Sequence, residues 1–135
     1  MKRVFLVAII IILLLTGCSK DDDREITIHK PSNVEVEMIS VKEVKDLVDN
    51  LDEEENVVII DVRTVEEYKE GHIDGAINLP LDIISNIDVS KDKKIIVYCR
   101  SGRRSNLAAI ELIGLGYENV YDMGGINDWP YDLVD

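Results

Sequence analysis

Two short, unbroken apolar runs constrain this chain more than any other feature. Val57, Val58, Ile59 and Ile60 form the first; Ile95, Ile96, Val97 and Tyr98 form the second. A strand with water on one face alternates apolar and polar side chains. These runs do not alternate, so they read as strands covered on both faces, as in the interior of a parallel sheet. Helical patterns surround them. Ser40 and Glu43 form a capping box, after which Val41, Val44, Leu47 and Val48 share one helical face. Thr64 and Glu67 form a second, opening a short helix that stops at Gly71. Residues 34–38 alternate as a half-buried strand. Residues 76–79 read as a short strand ended by Pro80, and Asp82 is placed to cap a helical turn carrying Ile83, Ile84 and Ile87. Residues 105–115 have helical spacing, with Leu107, Ala108, Leu112 and Leu115 on one face, and residues 120–123 read as a last strand. Strands alternating with helices predict an α/β domain with a mainly parallel sheet over residues 34–135.

The chain opens with Lys2 and Arg3 and then runs apolar from Val4 to Leu15. A helix over that run reaches only about 18 Å, against a hydrocarbon core of about 30 Å. Positive charge, a short apolar run and small residues after it describe a secretory signal peptide. It ends Leu15-Thr16-Gly17-Cys18, which resembles the bacterial lipoprotein signal. That resemblance implies removal of residues 1–17 and a fatty-acyl (palmitate) chain on Cys18. The protein is then expected on a bacterial membrane, held by its lipid alone, with the domain extracytoplasmic. Residues 18–33 are polar, carry three consecutive Asp, and suit a tether.

Charge narrows the partners. Twenty-seven acidic against 15 basic side chains give −12, a poor match for a nucleic-acid backbone. Aromatics at 5% leave little stacking surface for single strands. Two Cys and two His are too few for most structural zinc sites, and no metal or cofactor is expected.

Against that acidic background, Cys99 stands out. It ends the second apolar run, where ligands gather in open α/β sheets. The turn that follows reads Cys99-Arg100-Ser101-Gly102-Arg103-Arg104-Ser105. A helix N-terminus there presents unpaired N–H groups and partial positive charge. Gly102 lets several N–H groups turn inward as an anion nest. Three arginines lie within five residues of the thiol. Each feature favours thiolate over thiol, as a nucleophile requires. A purely structural Cys would leave the arginine cluster unexplained. A Cys–His pair has thin support, since His29 falls in the tether and only His72 remains.

This loop resembles that of single-domain rhodaneses, the thiosulfate:cyanide sulfurtransferases. Asp61-Val62-Arg63 with Glu66-Glu67-Tyr68, the segment Gly71-His72-Ile73-Asp74-Gly75-Ala76-Ile77-Asn78-Leu79-Pro80, and Gly114-Leu115-Gly116-Tyr117 through Gly124-Gly125-Ile126 to Trp129 resemble further family segments in the same order. The resemblance implies a five-stranded, mainly parallel sheet flanked by helices. It implies that Cys99 takes up sulfane sulfur as a persulfide, from a small anionic donor such as thiosulfate, and hands it to a thiol, cyanide or a dithiol protein. The backbone of Arg100, Ser101, Gly102, Arg103, Arg104 and Ser105 would hold the persulfide and donor, with Arg103 or Arg104 on the donor's oxygens. Asp61, Arg63 and His72 are implied as supports, and Trp129 as packing. The tail past Trp129 is shorter than the family's, so a short or frayed last helix is expected. Phosphatases and arsenate reductases use a longer loop, with Arg six residues after Cys; here that position is Ser105. A non-catalytic rhodanese-like binding module is the other alternative, and such modules usually lack the Cys or the Arg-Gly loop.

Overall fold

The structure is a computed structural model that describes residues 33–51 and 56–135. The expected signal peptide, Cys18, His29 and all but the end of the expected tether lie outside the described residues. Among those described, no helix is long and apolar enough to cross a membrane.

Five strands form one parallel sheet in the order β1-β5-β4-β2-β3. They are β1 (Glu37–Met38), β2 (Val57–Asp61), β3 (Ile77–Asn78), β4 (Lys94–Cys99) and β5 (Val120–Gly125). Among the described residues three α-helices accompany them: α1 (Val41–Asp49), α2 (Val65–Lys69) and α3 (Arg103–Gly114). The two apolar runs are β2 and β4, hydrogen-bonded side by side at the centre, with Ile59 against Ile96 and Asp61 against Tyr98. Alternation along β4 sends Ile95, Val97 and Cys99 into a core with Ala108, Ala109 and Leu112 of α3, and sends Ile96 and Tyr98 to the other face with Val44 and Trp129.

Both capping boxes form. Ser40 Oγ accepts from Glu43 N and the Glu43 carboxylate accepts from Ser40 N; Thr64 and Glu67 repeat the arrangement. Other expectations need correction. β1 covers only two residues of the alternating 34–38 run, and Met38 faces solvent at 65% exposure. Asp82 caps nothing: Pro80 precedes a 3-10 turn (Leu81–Asn86) that buries Ile84 and has no side-chain cap. The buried face of α3 is Ser105, Ala108, Ala109 and Leu112, while Leu107 and Leu115 are 47% and 40% exposed. These four stand at i, i+3, i+4 and i+7. Three of them are small and bring the helix close to β4, so the bulkier Leu107 is turned outward.

The C-terminus is tied rather than frayed. A short 3-10 turn (Ile126–Asp128) leads to Trp129, which is buried at 8% exposure. Val134 then pairs with His72 through two backbone hydrogen bonds of 2.8 and 2.9 Å.

Candidate active site

The carboxyl ends of β2, β4 and β5 converge, with Cys99 of β4 opposite Gly125 of β5. The loop after Cys99 folds back under its own sulfur because Gly102 adopts φ +100°. Gly102 is also the N-cap of α3. Its N–H donates to Cys99 Sγ at 3.1 Å. Ser105 Oγ lies 3.7 Å from the sulfur and within hydrogen-bonding distance of the carbonyls of Gly102 and Gly124, at 3.1 and 3.3 Å, so its one proton has three neighbouring acceptors.

Cys99 is 1% exposed, and burial alone would push its pKa up. The Ser105 N–H and hydroxyl, with the N–H groups of Gly102 and Ser101, outweigh that and hold the thiol below its ordinary value. The cradle of N–H donors, more than the arginines, therefore carries the shift.

The three arginines have different situations. Arg100 and Arg103 are exposed, and neither makes a side-chain ion pair among the described residues. Arg104 makes a two-point ion pair with Glu67, Nη1 to Oε2 at 2.7 Å and Nη2 to Oε1 at 2.9 Å. The expected choice between Arg103 and Arg104 is thus unequal, since only Arg103 is uncommitted. Helix α3 also breaks the usual charge rule. Helices α1 and α2 carry acidic first turns, whereas α3 begins with Arg103 and Arg104 and has no acidic residue there. Cations at that end oppose the helix dipole, an arrangement that suits a site for an anion.

Asp61 and Arg63 form a buried pair on the sheet face opposite Cys99, where Asp61 is 0% and Arg63 6% exposed. Arg63 Nε and Nη2 donate to the carboxylate at 2.6–3.0 Å, and Arg63 N adds a bond of 2.9 Å. Nη2 also donates to Gly71 O at 2.7 Å, and Ile73 N donates to Tyr98 Oη at 3.1 Å. The Gly-His segment is therefore pinned to β2 and β4. Burial, then the Asp61 carboxylate, pushes the Tyr98 phenol up, so it stays protonated. His72 stacks on Tyr68 with centroids 3.7 Å apart, and its Nδ1 bonds Tyr68 O at 3.0 Å. These contacts place Asp61, Arg63 and His72 in the scaffold. Among the described residues no group of His, Cys, Asp and Glu is arranged to hold a metal ion.

Two contributors were not legible as such. Glu67 is claimed by the capping box, and nothing local announces its pairing with a residue 37 positions away. Gly125 was visible only as part of a glycine pair. A β-bulge in β5 makes Met123 the extra residue, since Val97 pairs with Asp122 but Tyr98 with Gly124. Asp122 Oδ1 accepts from Gly124 N at 2.7 Å and holds the bulge. This turns Gly125 against the loop: a Cβ there would lie 2.4 Å from Arg100 O and 2.8 Å from Ser101 Cα. Both are backbone atoms, so Gly125→Ala must displace the loop. The expected result is a loss of about 1–3 kcal/mol in stability and a rise of about one unit in the pH midpoint of Cys99 alkylation, as N–H contacts to sulfur lengthen. Unchanged melting and an unchanged alkylation profile would show that the glycine contact is unimportant.

Comparison with known proteins agrees with this geometry. The family model described as a rhodanese-like domain matches residues 43–131. The chain belongs to the rhodanese-like domain family. A sulfurtransferase of Allochromatium vinosum is 35% identical over 95 residues, covering 68% of this chain and 89% of that protein. A thiosulfate sulfurtransferase of Escherichia coli K12 is 40% identical over 73 residues, covering 51% of this chain and 70% of the relative. The solved structure of a rhodanese-related protein from Thermoplasma volcanium superposes with TM-score 0.59 at 31% identity, covering 73% of this chain and 97% of that one. Other relatives are much longer: this chain spans 20% of two yeast proteins named as adenylyltransferase and sulfurtransferase. Within the rhodanese-like fold, the five-stranded parallel sheet and its flanking helices are those of the family.

Proposed function

We propose that this rhodanese-like domain is a sulfurtransferase that carries sulfane sulfur as a persulfide on Cys99. The observation that supports this best is the cradle around one buried sulfur: the Gly102 N–H donates to it at 3.1 Å, with the N–H groups of Ser101 and Ser105 beside it and Ser105 Oγ 3.7 Å away. Donors fixed before reaction stabilise the thiolate at no reorganisation cost when it attacks. The same N–H groups, with those opening α3, are suited to a persulfide anion.

With thiosulfate or a related sulfane donor, the Cys99 thiolate attacks the sulfane sulfur. A bond forms between the two sulfurs, the S–S bond of thiosulfate breaks, and sulfite leaves with its electron pair. The persulfide keeps one negative charge and sulfite carries two, balancing the three that entered. In the second step an acceptor attacks the outer sulfur and Cys99 returns as thiolate; cyanide leaves as thiocyanate. With Cys18 carrying lipid, Cys99 is the one free thiol of this sequence, and the acceptor thiol then comes from outside, as a small molecule or a dithiol protein. Formation of thiocyanate from thiosulfate and cyanide tests this directly, and its absence with every sulfane donor would favour a binding module instead.

The proposed location is extracytoplasmic, on a bacterial membrane through lipid on Cys18. The support is the Leu15-Thr16-Gly17-Cys18 sequence after its twelve-residue apolar run. Cys18→Ser is expected to release the protein from the membrane fraction or to leave an unprocessed precursor. A processed Cys18→Ser protein that stays membrane-bound would rule the anchor out.

A further inference from the structure

We propose that Glu67 determines which ligands the Cys99 loop admits: by occupying Arg104 it withholds that cation and selects against dianionic oxyanions, favouring sulfane donors of lower charge such as organic persulfides. The donor part rests on the reading of Cys99 as a persulfide carrier.

The loop sequence advertises three cations beside the thiol, and the structure supplies fewer. Both terminal nitrogens of Arg104 are used by the Glu67 carboxylate, at 2.7 and 2.9 Å. A guanidinium and a carboxylate match in fork geometry, and an incoming oxyanion must compete with that match. The pair is largely shielded, with side chains 32% and 22% exposed. Glu67 is itself fixed, because Oε2 also accepts from Thr64 N at 3.0 Å. Arg104, followed by Thr64, holds Glu67 down to about 2 against the pull of burial. The carboxylate therefore stays ionised at any physiological pH.

The other side of Arg104 points the same way. A cavity of about 280 Å³ is lined by Val62, Thr64, Pro80, Leu81, Asp82 and Arg104. Its walls suit a carbon stem, and its one further charge, Asp82, repels an anion. Arg104 is the residue of the Cys99 loop that lines this recess. An organic persulfide R–S–SH fits both features. The Cys99 thiolate attacks its terminal sulfur, the donor S–S bond breaks, R–S⁻ leaves with the electron pair, and the proton remains on the new persulfide.

Glu67→Gln tests this without removing the helix cap, since Gln also serves the capping box. The full-length protein is alkylated with iodoacetamide at increasing sodium sulfate, and Cys99 is read by peptide mass, each variant referred to its own rate without sulfate. Sulfate is an inert dianion, so the readout does not depend on sulfur transfer. Glu67→Gln should lower the sulfate needed for half-protection by about tenfold, the scale of one added cation beside the anion. Adding Arg104→Gln should cancel the gain. In parallel, the ratio of kcat/KM for thiosulfate to that for cysteine persulfide should rise by a similar factor in Glu67→Gln. Sulfate protection within twofold of the native protein, in a folded Glu67→Gln variant, would overturn the assignment, as would an unchanged donor ratio. Tighter sulfate protection in a protein that takes up sulfur from no donor would instead uphold the anion selection by Glu67 and defeat the sulfurtransferase reading.

Discussion

Asp61→Ala should destabilise the domain by about 3–5 kcal/mol, enough to consume much of the stability of a domain this size. The carboxylate removed is fully buried and accepts from the Nε, Nη2 and backbone N of Arg63. Its loss strands a guanidinium that is 6% exposed. Burial already works against the charge on Arg63, and the bonds to Asp61 outweigh it. Arg63 also holds Gly71 O, so the 71–80 segment should loosen with it. The midpoint of chemical denaturation gives the magnitude. The cause is separable: Asp61→Ala combined with Arg63→Met removes both charges and should recover a large part of the loss, because a buried pair is damaged more by losing one member than both. A single-variant loss below about 1 kcal/mol would mean the pair is better solvated than its burial indicates.

The division between what could and could not be read beforehand follows sequence distance. Ser40 with Glu43 and Thr64 with Glu67 are three residues apart, and their capping boxes depend only on local geometry. The interiors of β2 and β4 were visible because a strand buried on both faces has no room for polar residues. Cys99 and Gly102 lie within one tight turn, so the loop could be assembled from neighbouring residues. The ion pair of Arg104 with Glu67 and the fit of Gly125 against Arg100 depend on how separate segments meet. Local pattern carries no record of either. The face of α3 is half as expected, with Ala108 and Leu112 buried and Leu107 and Leu115 exposed, for a related reason. The leucine pattern includes Leu107 and Leu115, yet proximity to β4 selects the small Ser105 and Ala109 beside Ala108 and Leu112. The arginine cluster is the most instructive case. Its positive charge was plain in the sequence, but its availability to a ligand depends on which partner each guanidinium finds in the fold.

The central claim is that Cys99 carries sulfur, and the mass of the protein measures it most directly. In a soluble fragment of residues 23–135, Cys99 is the sole thiol, so any covalent sulfur is assigned without mapping. Hydrogen bonds from N–H donors favour the thiolate over the thiol. Cys99, held below its ordinary value, should then be alkylated faster at neutral pH than an unperturbed cysteine, and slowly in acid. Incubation with a sulfane donor should add the mass of one sulfur atom. Cyanide should remove it and yield one equivalent of thiocyanate, and Cys99→Ser should show neither change. A folded wild-type fragment whose mass is unaltered by thiosulfate and by organic persulfides alike would contradict the account.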